Sequence, residues 1–341
     1  MSNQHKLIQE KNKPINPWLV FFIICLFFLS AWYCSLRFGA YSYSHQDLMT
    51  VLKEPLIDSP IQDVIFDLRF PRAVAASLVG AAMACAGAIM QGVTRNPIAD
   101  PGLLGINAGA GLALVLGYAL GNTMHYSHIL IICICGSVLA SFLVFGLSYQ
   151  RQKGYHQLRL ILAGAMISTL FSAIGQAITI YFDLSTAVIG WQAGGLSQIN
   201  WKMLAIVSPF ILLGLVLAQV FAHQLTILSL NESVSKSLGQ KTMTITIFLL
   251  SIVLLLSAAA VALVGSLSFV GLIIPHLMRM MIGRDYRKLL PLTAFAGASF
   301  ILWVDLICRT IQPPAETPIS AVISILGLPW FLWLIRKGER I

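Results

Sequence analysis

Few residues in this chain have the type and spacing that chemistry requires, and those few point to binding and conduction rather than bond-making. Gly164, Ser168, Ser172 and Gln176 recur at every fourth position of an apolar run, with Gly175 and Thr179 nearby. Such spacing places them on one face of a helix. A stripe of small polar residues either lines a route or lets helices pack closely, and the spacing leaves both readings open. No acid or base lies on the stripe. Asp305 is the only acid inside an apolar run; Arg309 follows it at i, i+4, acid first, so the two can pair on one helix face. Arg69 and Arg72 stand where another run begins, a position suited to anchoring a helix end at the membrane interface.

Bond-making would need a nucleophile–base pair or a metal set, and the sequence offers neither. The six cysteines (25, 34, 85, 133, 135 and 308) lie in or beside apolar runs and form no CxxC pair. They read as small packing residues rather than a disulfide framework or metal site. His125 and His128 lack a third ligand and read as loop residues. There is no Walker or Rossmann glycine loop, so energy must come from elsewhere. An ion-driven secondary transporter would place acids or unwound polar helices at mid-membrane; Asp305 alone gives that class little support. Pro275 predicts a kink, and a proton relay at His276 would have only Arg279 close in sequence.

The elements that must position these residues are membrane spans. Apolar residues make up 57% and charged residues 10% of 341 positions, and mean hydropathy is +0.82, far from soluble composition. Runs near the ~20 residues a spanning helix needs occur at 18–36, 73–93, 102–121, 129–148, 158–181, 203–221, 244–264, 266–282, 289–308 and 318–335. Nine is the competing count, because only Gly265 parts the seventh run from the eighth. Basic residues arbitrate. With ten spans and both termini cytoplasmic, sixteen of the 22 Lys and Arg fall inside, the asymmetry of the positive-inside rule. Nine would strand the Arg336–Arg340 tail outside. The charge of +9 therefore reflects topology, not nucleic-acid binding. The first run is long and lacks a small-residue cleavage site, so it reads as a retained span. The expectation is an all-α integral membrane protein: a cytoplasmic tail over 1–17, one polytopic domain over 18–335 and a cytoplasmic tail over 336–341.

Three connections look specialised. The segment from Phe38 to Phe70 carries five acids, and Ser44 with Asp47 forms a capping box that predicts a surface helix. Gln91 to Pro101 is a polar turn, too short for a domain, leading into glycines at 102, 105, 109 and 111 that favour close helix approach. The loop over 222–243 is the longest inside. Within it Ser229-x-x-Glu232 reads as a capping box, Gly239 as a left-handed stop, and Leu230, Val234 and Leu238 as an apolar stripe. The stripe fits the lipid interface or a cleft on a soluble partner. Its polar side has only Lys236 and serines, poor for anionic headgroups, which favours the partner.

Several blocks carry a resemblance: LRFPR, GAIMQG preceded by a glycine seven residues earlier, NPIADPGLLGINAGAG, LSLNESVSKSLG, SFVGLIIPHLMRMMIGRDYRKLLPL, VDLICRT, PAETPIS and GLPWFLWLIRK. In this order the chain resembles the permease subunits of bacterial ABC importers for iron–siderophore, haem and cobalamin, the large ten-span class. The resemblance implies residence in the bacterial plasma (inner) membrane and a second permease subunit, identical or not. It also implies two cytoplasmic ATPase subunits that use ATP and magnesium, an extracytoplasmic binding protein, and no cofactor or enzymatic activity in the permease itself. By resemblance, Arg69, Arg72 and Arg309 meet glutamates of the binding protein, a role suited to arginine's permanent charge and forked geometry. For Arg309 the internal pair with Asp305 stands beside that reading. Leu230, Glu232, Val234, Leu238 and Gly239 fall on the ATPase-coupling motif, whose usual form is LGEETARSLG. Asn231, Ser233 and Ser235 depart from that form and leave open which side chains hold the ATPase. Gly164, Ser168, Ser172 and Gln176 fall on the span that borders the family's central cavity. The implied cargo is a metal chelate, ferric siderophore foremost, with haem and cobalamin as alternatives.

Overall fold

The computed structural model describes residues 16–53, 59–121, 126–150, 154–155, 157–230 and 232–337. Seven helices are long and apolar enough to cross a membrane, and three shorter apolar helices accompany them. Together they account for the ten expected runs. In chain order the elements are α1 (Pro17–Arg37), α2 (His45–Lys53), α3 (Pro60–Asp63), a π-helical turn (Val64–Arg69), α4 (Phe70–Thr94), a 3₁₀ turn (Pro101–Leu104), α5 (Ile106–Leu120), α6 (Tyr126–Ser148), a two-residue pairing of β1 (Tyr149–Gln150) with β2 (Gly154–Tyr155), α7 (Gln157–Tyr181), α8 (Ser185–Ala193), α9 (Trp201–Val220), α10 (Ala222–Leu228), α11 (Glu232–Ser237), α12 (Thr242–Val264), α13 (Val270–Ile282), α14 (Tyr286–Thr310) and α15 (Ile319–Lys337).

Local chemistry sets many of the boundaries. Asn16 accepts from Trp18 N with Pro17 in the first turn, Asn200 accepts from Met203 N, and Asp285 accepts from Arg287 N; each satisfies an amide with no partner inside its helix. The expected box at α2 is present in both directions, Ser44 N to Asp47 Oδ2 at 2.9 Å and Asp47 N to Ser44 Oγ at 3.1 Å. Gly265, at φ +87°, ends α12 and parts it from α13, as the higher span count requires. The intervening 265–269 backbone is not helical, yet Asn107 Nδ2 donates to Leu267 O at 3.1 Å. Irregular backbone at membrane depth is tolerated where protein or a cavity receives it.

The hub is α4, rich in Ala and Gly and buried along most of its length. A Cβ on Gly80 would strike the Gly297 carbonyl of α14, and one on Gly87 the Gly271 carbonyl of α13; Gly109 of α5 and Gly136 of α6 meet likewise. Such backbone approach is how helices associate where lipid provides no hydrophobic drive. By contrast α1, α6, α7 and α9 expose large apolar side chains such as Phe22, Leu139, Met166 and Leu213.

Candidate functional site

One end of the bundle gathers the arginines. The π turn passes directly into α4, with the Phe70 amide bonded back to Ile65 O; Pro71, which has no amide N–H, stands at this junction, and Arg72 follows it on the first turn of α4. Arg72 donates to Asp305 Oδ1 from Nε and Nη2 (2.9 and 2.8 Å) and to Glu316 from Nη1 and Nη2 (2.6 and 2.8 Å). Arg309 Nε lies 3.1 Å from Asp305 Oδ2, an ion pair without hydrogen-bond alignment, and its Nη2 donates to Ser35 Oγ at 2.9 Å. Arg69, at the end of the π turn, donates to the carbonyls of Leu36 and Tyr41 and lies over the Tyr43 ring. All three arginines are buried, and so is Asp305. Burial raises the Glu316 carboxyl, but the bonds and charge of Arg72 outweigh it and hold Glu316 below the usual carboxylate range. The three arginines are thus brought together, and the internal i, i+4 pair of Arg309 with Asp305 is formed.

A cavity of about 840 Å³ runs between the 3₁₀ turn, α5, α7 and α8. Ser168, Ser172 and Gln176 line it, joined by Asn107, Thr179 and Ser268. Gly164 does not; a Cβ there would meet the Leu103 carbonyl. The stripe therefore divides by function, with its first member taken by helix packing and the next three by the cavity. The ionisable lining residue is Asp100, at the mouth of the 3₁₀ turn it caps through Gly102 N at 2.7 Å. A second cavity of about 480 Å³ lies toward the arginine end, lined by Tyr118, Gly194, Glu316 and Thr317 among others. Trp191 of α8 borders both.

At the opposite end α11 projects from the bundle. It is shorter than expected, six residues, and Ser229 does not cap it. Ser229 N bonds to Leu225 O and Ser229 Oγ donates to Thr226 O, so this serine closes α10. Asn231 lies outside the described residues, as does the side chain of Glu232. The stop is as expected: Gly239 has φ +75°, with Gly239 N to Lys236 O at 2.9 Å and Gln240 N to Ser235 O at 3.2 Å, the paired bonds of a Schellman motif. The helix is seated by its polar side. Buried Ser235 donates to Ile227 O at 2.7 Å, and Gln240 Nε2 to Gln224 O at 2.8 Å. Leu230, Val234 and Leu238 face outward, 46%, 43% and 61% exposed. This reverses the usual burial of a helix's apolar stripe.

Glu316 is a partner of Arg72 that the sequence did not reveal, and Gln91, expected to open the polar turn, lies buried within α4, so the turn starts only after Thr94. Glu316 had no local signal, since its partner Arg72 is 244 residues away. The helix α8, which bears Trp191, falls between two of the expected runs; its nine residues are too few to span. Among the described residues no group of three or more His, Cys, Asp or Glu is placed to hold a metal. His125 lies outside them. The cysteines are free.

With this geometry in view, the chain matches the FecCD transport family over residues 22–337. It is 37% identical over 308 residues to the iron-uptake system permease protein FeuB of Bacillus subtilis (strain 168), covering 90% of this chain and 92% of that one. It is 37% identical over 339 residues to the hemin transport system permease protein HmuU of Yersinia pestis, covering 96% and 98%. A metal-chelate type ABC transporter solved in an inward-facing conformation superposes with a TM-score of 0.83 at 32% identity, covering 94% of this chain and all of that one. The chain belongs to the FecCD transport family: it is a multi-pass permease subunit of an ABC importer, and the ATPase is a separate subunit.

Proposed function

We propose that this permease, paired with a second, forms the pathway by which an ATP-driven importer carries a metal chelate across the bacterial plasma membrane. The observation that carries the reading is the 840 Å³ cavity lined by Ser168, Ser172 and Gln176, roomy and poor in charge, in a chain similar to iron and hemin permeases. A cavity that offers hydroxyls and amides lets a bulky complex pass without a deep well to hold it. Residues 18–335 form the permease domain, with the tails 1–17 and 336–341 and the 222–243 loop in the cytoplasm. The outward apolar face of Leu230, Val234 and Leu238 seats a partner ATPase, which uses ATP and magnesium; Glu232 opens that helix and Gly239 stops it. An extracytoplasmic binding protein delivers cargo at the Arg69, Arg72 and Arg309 end. Ferric siderophore is the proposed cargo, because iron uptake recurs among the relatives.

Reconstitution into proteoliposomes with the ATPase and binding protein tests this reading. ATP-dependent uptake of radioactive ferric siderophore is expected, with haem and cobalamin transported poorly. Preference for haem or cobalamin would overturn the cargo assignment. Uptake driven by an ion gradient without ATP would overturn the class.

A further inference from the structure

The arginine end contains a carboxylate where a docking partner's carboxylate would go. Arg72 is gripped from two sides. Its Nε and Nη2 bind Asp305, which is fully buried and shared with Arg309, while Nη1 and Nη2 bind Glu316, whose side chain is 35% exposed. Asp305 is a fixed partner, because losing it would leave buried guanidinium charge uncompensated. Glu316 is a different case. It sits on the segment between α14 and α15, where residues 311–316 are all exposed, and it faces solvent as well as Arg72.

That segment is tied to the rest of the molecule at few points. Thr317 N bonds to Cys308 O at 3.1 Å, and Ser320 Oγ in the first turn of α15 donates to Ala193 O at 2.6 Å. Ala193 ends α8, the helix whose Trp191 stands between the two cavities. Glu316 and Thr317 line the cavity nearer the arginine end. A chain of contacts therefore runs from Arg72 through Glu316 and Ser320 to the helix that separates that cavity from the larger one.

We propose that Glu316 is a displaceable latch: a carboxylate of the docking protein takes its place on Arg72, and the freed 311–318 segment loosens α8 and joins the two cavities. The inference rests on the reading that a binding protein docks at this end. Exchange of one carboxylate for another keeps Arg72 charge-paired throughout, so release leaves no buried charge bare.

The test uses the complete permease–ATPase complex in nanodiscs with its purified binding protein. Glu316→Gln removes the competing charge. Binding-protein affinity should tighten about five- to ten-fold, because the docking-competent state is no longer held back by an internal competitor. A cysteine introduced by Thr317→Cys should react faster with a membrane-impermeant thiol reagent in the Glu316→Gln background than in the parent, with no binding protein present. Glu316→Asp keeps the charge but shortens the reach, and should move both readouts the same way by less; it serves if the glutamine variant is not recovered. Unchanged affinity, or unchanged labelling, overturns the latch and makes Glu316 a fixed tie. The docking reading fails separately: wild-type affinity indifferent to salt and unaffected by Arg69→Gln would remove the arginine end as a charged docking face, whereas Thr317→Cys labelling still reports on the loop.

Discussion

Proline 275 lacks the N–H that would bond to the Gly271 carbonyl one turn earlier, and Gln91 supplies the missing donor from another helix. Gln91 Nε2 lies 3.1 Å from Gly271 O and 3.3 Å from Leu272 O, and Gln91 Oε1 accepts from Arg279. The approach is possible because Gly87 and Gly271 let the two backbones nearly touch. Replacing Gln91 by Leu should leave the buried carbonyl unpaired at a cost of about 1–3 kcal/mol. In a Pro275→Ala background, which restores the helical N–H, the same replacement should cost clearly less. Reversible SDS unfolding of the four variants measures the coupling, and equal costs in both backgrounds would show that Gln91 does not serve the proline. The missing N–H was legible from Pro275 and the glycines from their spacing. The donor was not, although Gln91 stands in a quoted motif, because an amide's partner 180 residues away leaves no local pattern. Glu316 was hidden for the same reason. Arg309 was the readable case, since its pair with Asp305 is four residues distant.

Among the elements, α11 shows what periodicity determines and what it leaves open. Leu230, Val234 and Leu238 gave the stripe and Gly239 the stop, both present in the fold. The start was misread because Ser229 satisfies a capping template while bonding backward to α10; two adjacent helices compete for one serine. A stripe also looks the same whether it faces lipid, core or partner, and only the burial of Ser235 beneath the helix reveals that the apolar side points away. The support continues inward: Arg95, in a left-handed conformation at the end of α4, donates to Leu228 O at 3.0 Å, linking α10 to the turn that leads to the cavity wall at Gly102 and Leu103. Substituting Leu230, Val234 and Leu238 together by serine should leave membrane insertion intact, because no span is touched. Each such side chain contributes roughly 1.5–3 kcal/mol when fully buried, and here only the exposed part remains to be covered. The sum should still decide whether the ATPase stays attached. Loss of the ATPase on size-exclusion chromatography, with uptake stopped, is the expected result; a triple variant that keeps its ATPase and transports would rule out this surface as the coupling face.

For the whole molecule, the seven long apolar helices and the three shorter ones among them were readable in order because hydropathy is a one-dimensional signal, set by what lipid tolerates in each run. Cavities are not of that kind. The 840 Å³ space forms where α5, α7 and α8 fail to close, and each lining residue obeys the same rules as a packing residue. That is why Gly164 and Ser168, one turn apart, could not be told from each other until the Leu103 carbonyl was found against Gly164. The distinction yields a prediction. Leucine at Ser168 and Ser172 adds volume toward open space and raises hydropathy, so insertion, dimer formation and ATPase binding should survive. Leucine at Gly164 would press on backbone, and the fold itself should suffer. Uptake of the chelate in proteoliposomes should fall several-fold for the serine pair at unchanged assembly, with the ATPase rate reported alongside. A serine-pair variant that transports normally while assembled normally would remove this face of α7 from the pathway. One that fails to assemble would show that the cavity is filled by the second subunit, leaving the cargo to travel elsewhere between the helices.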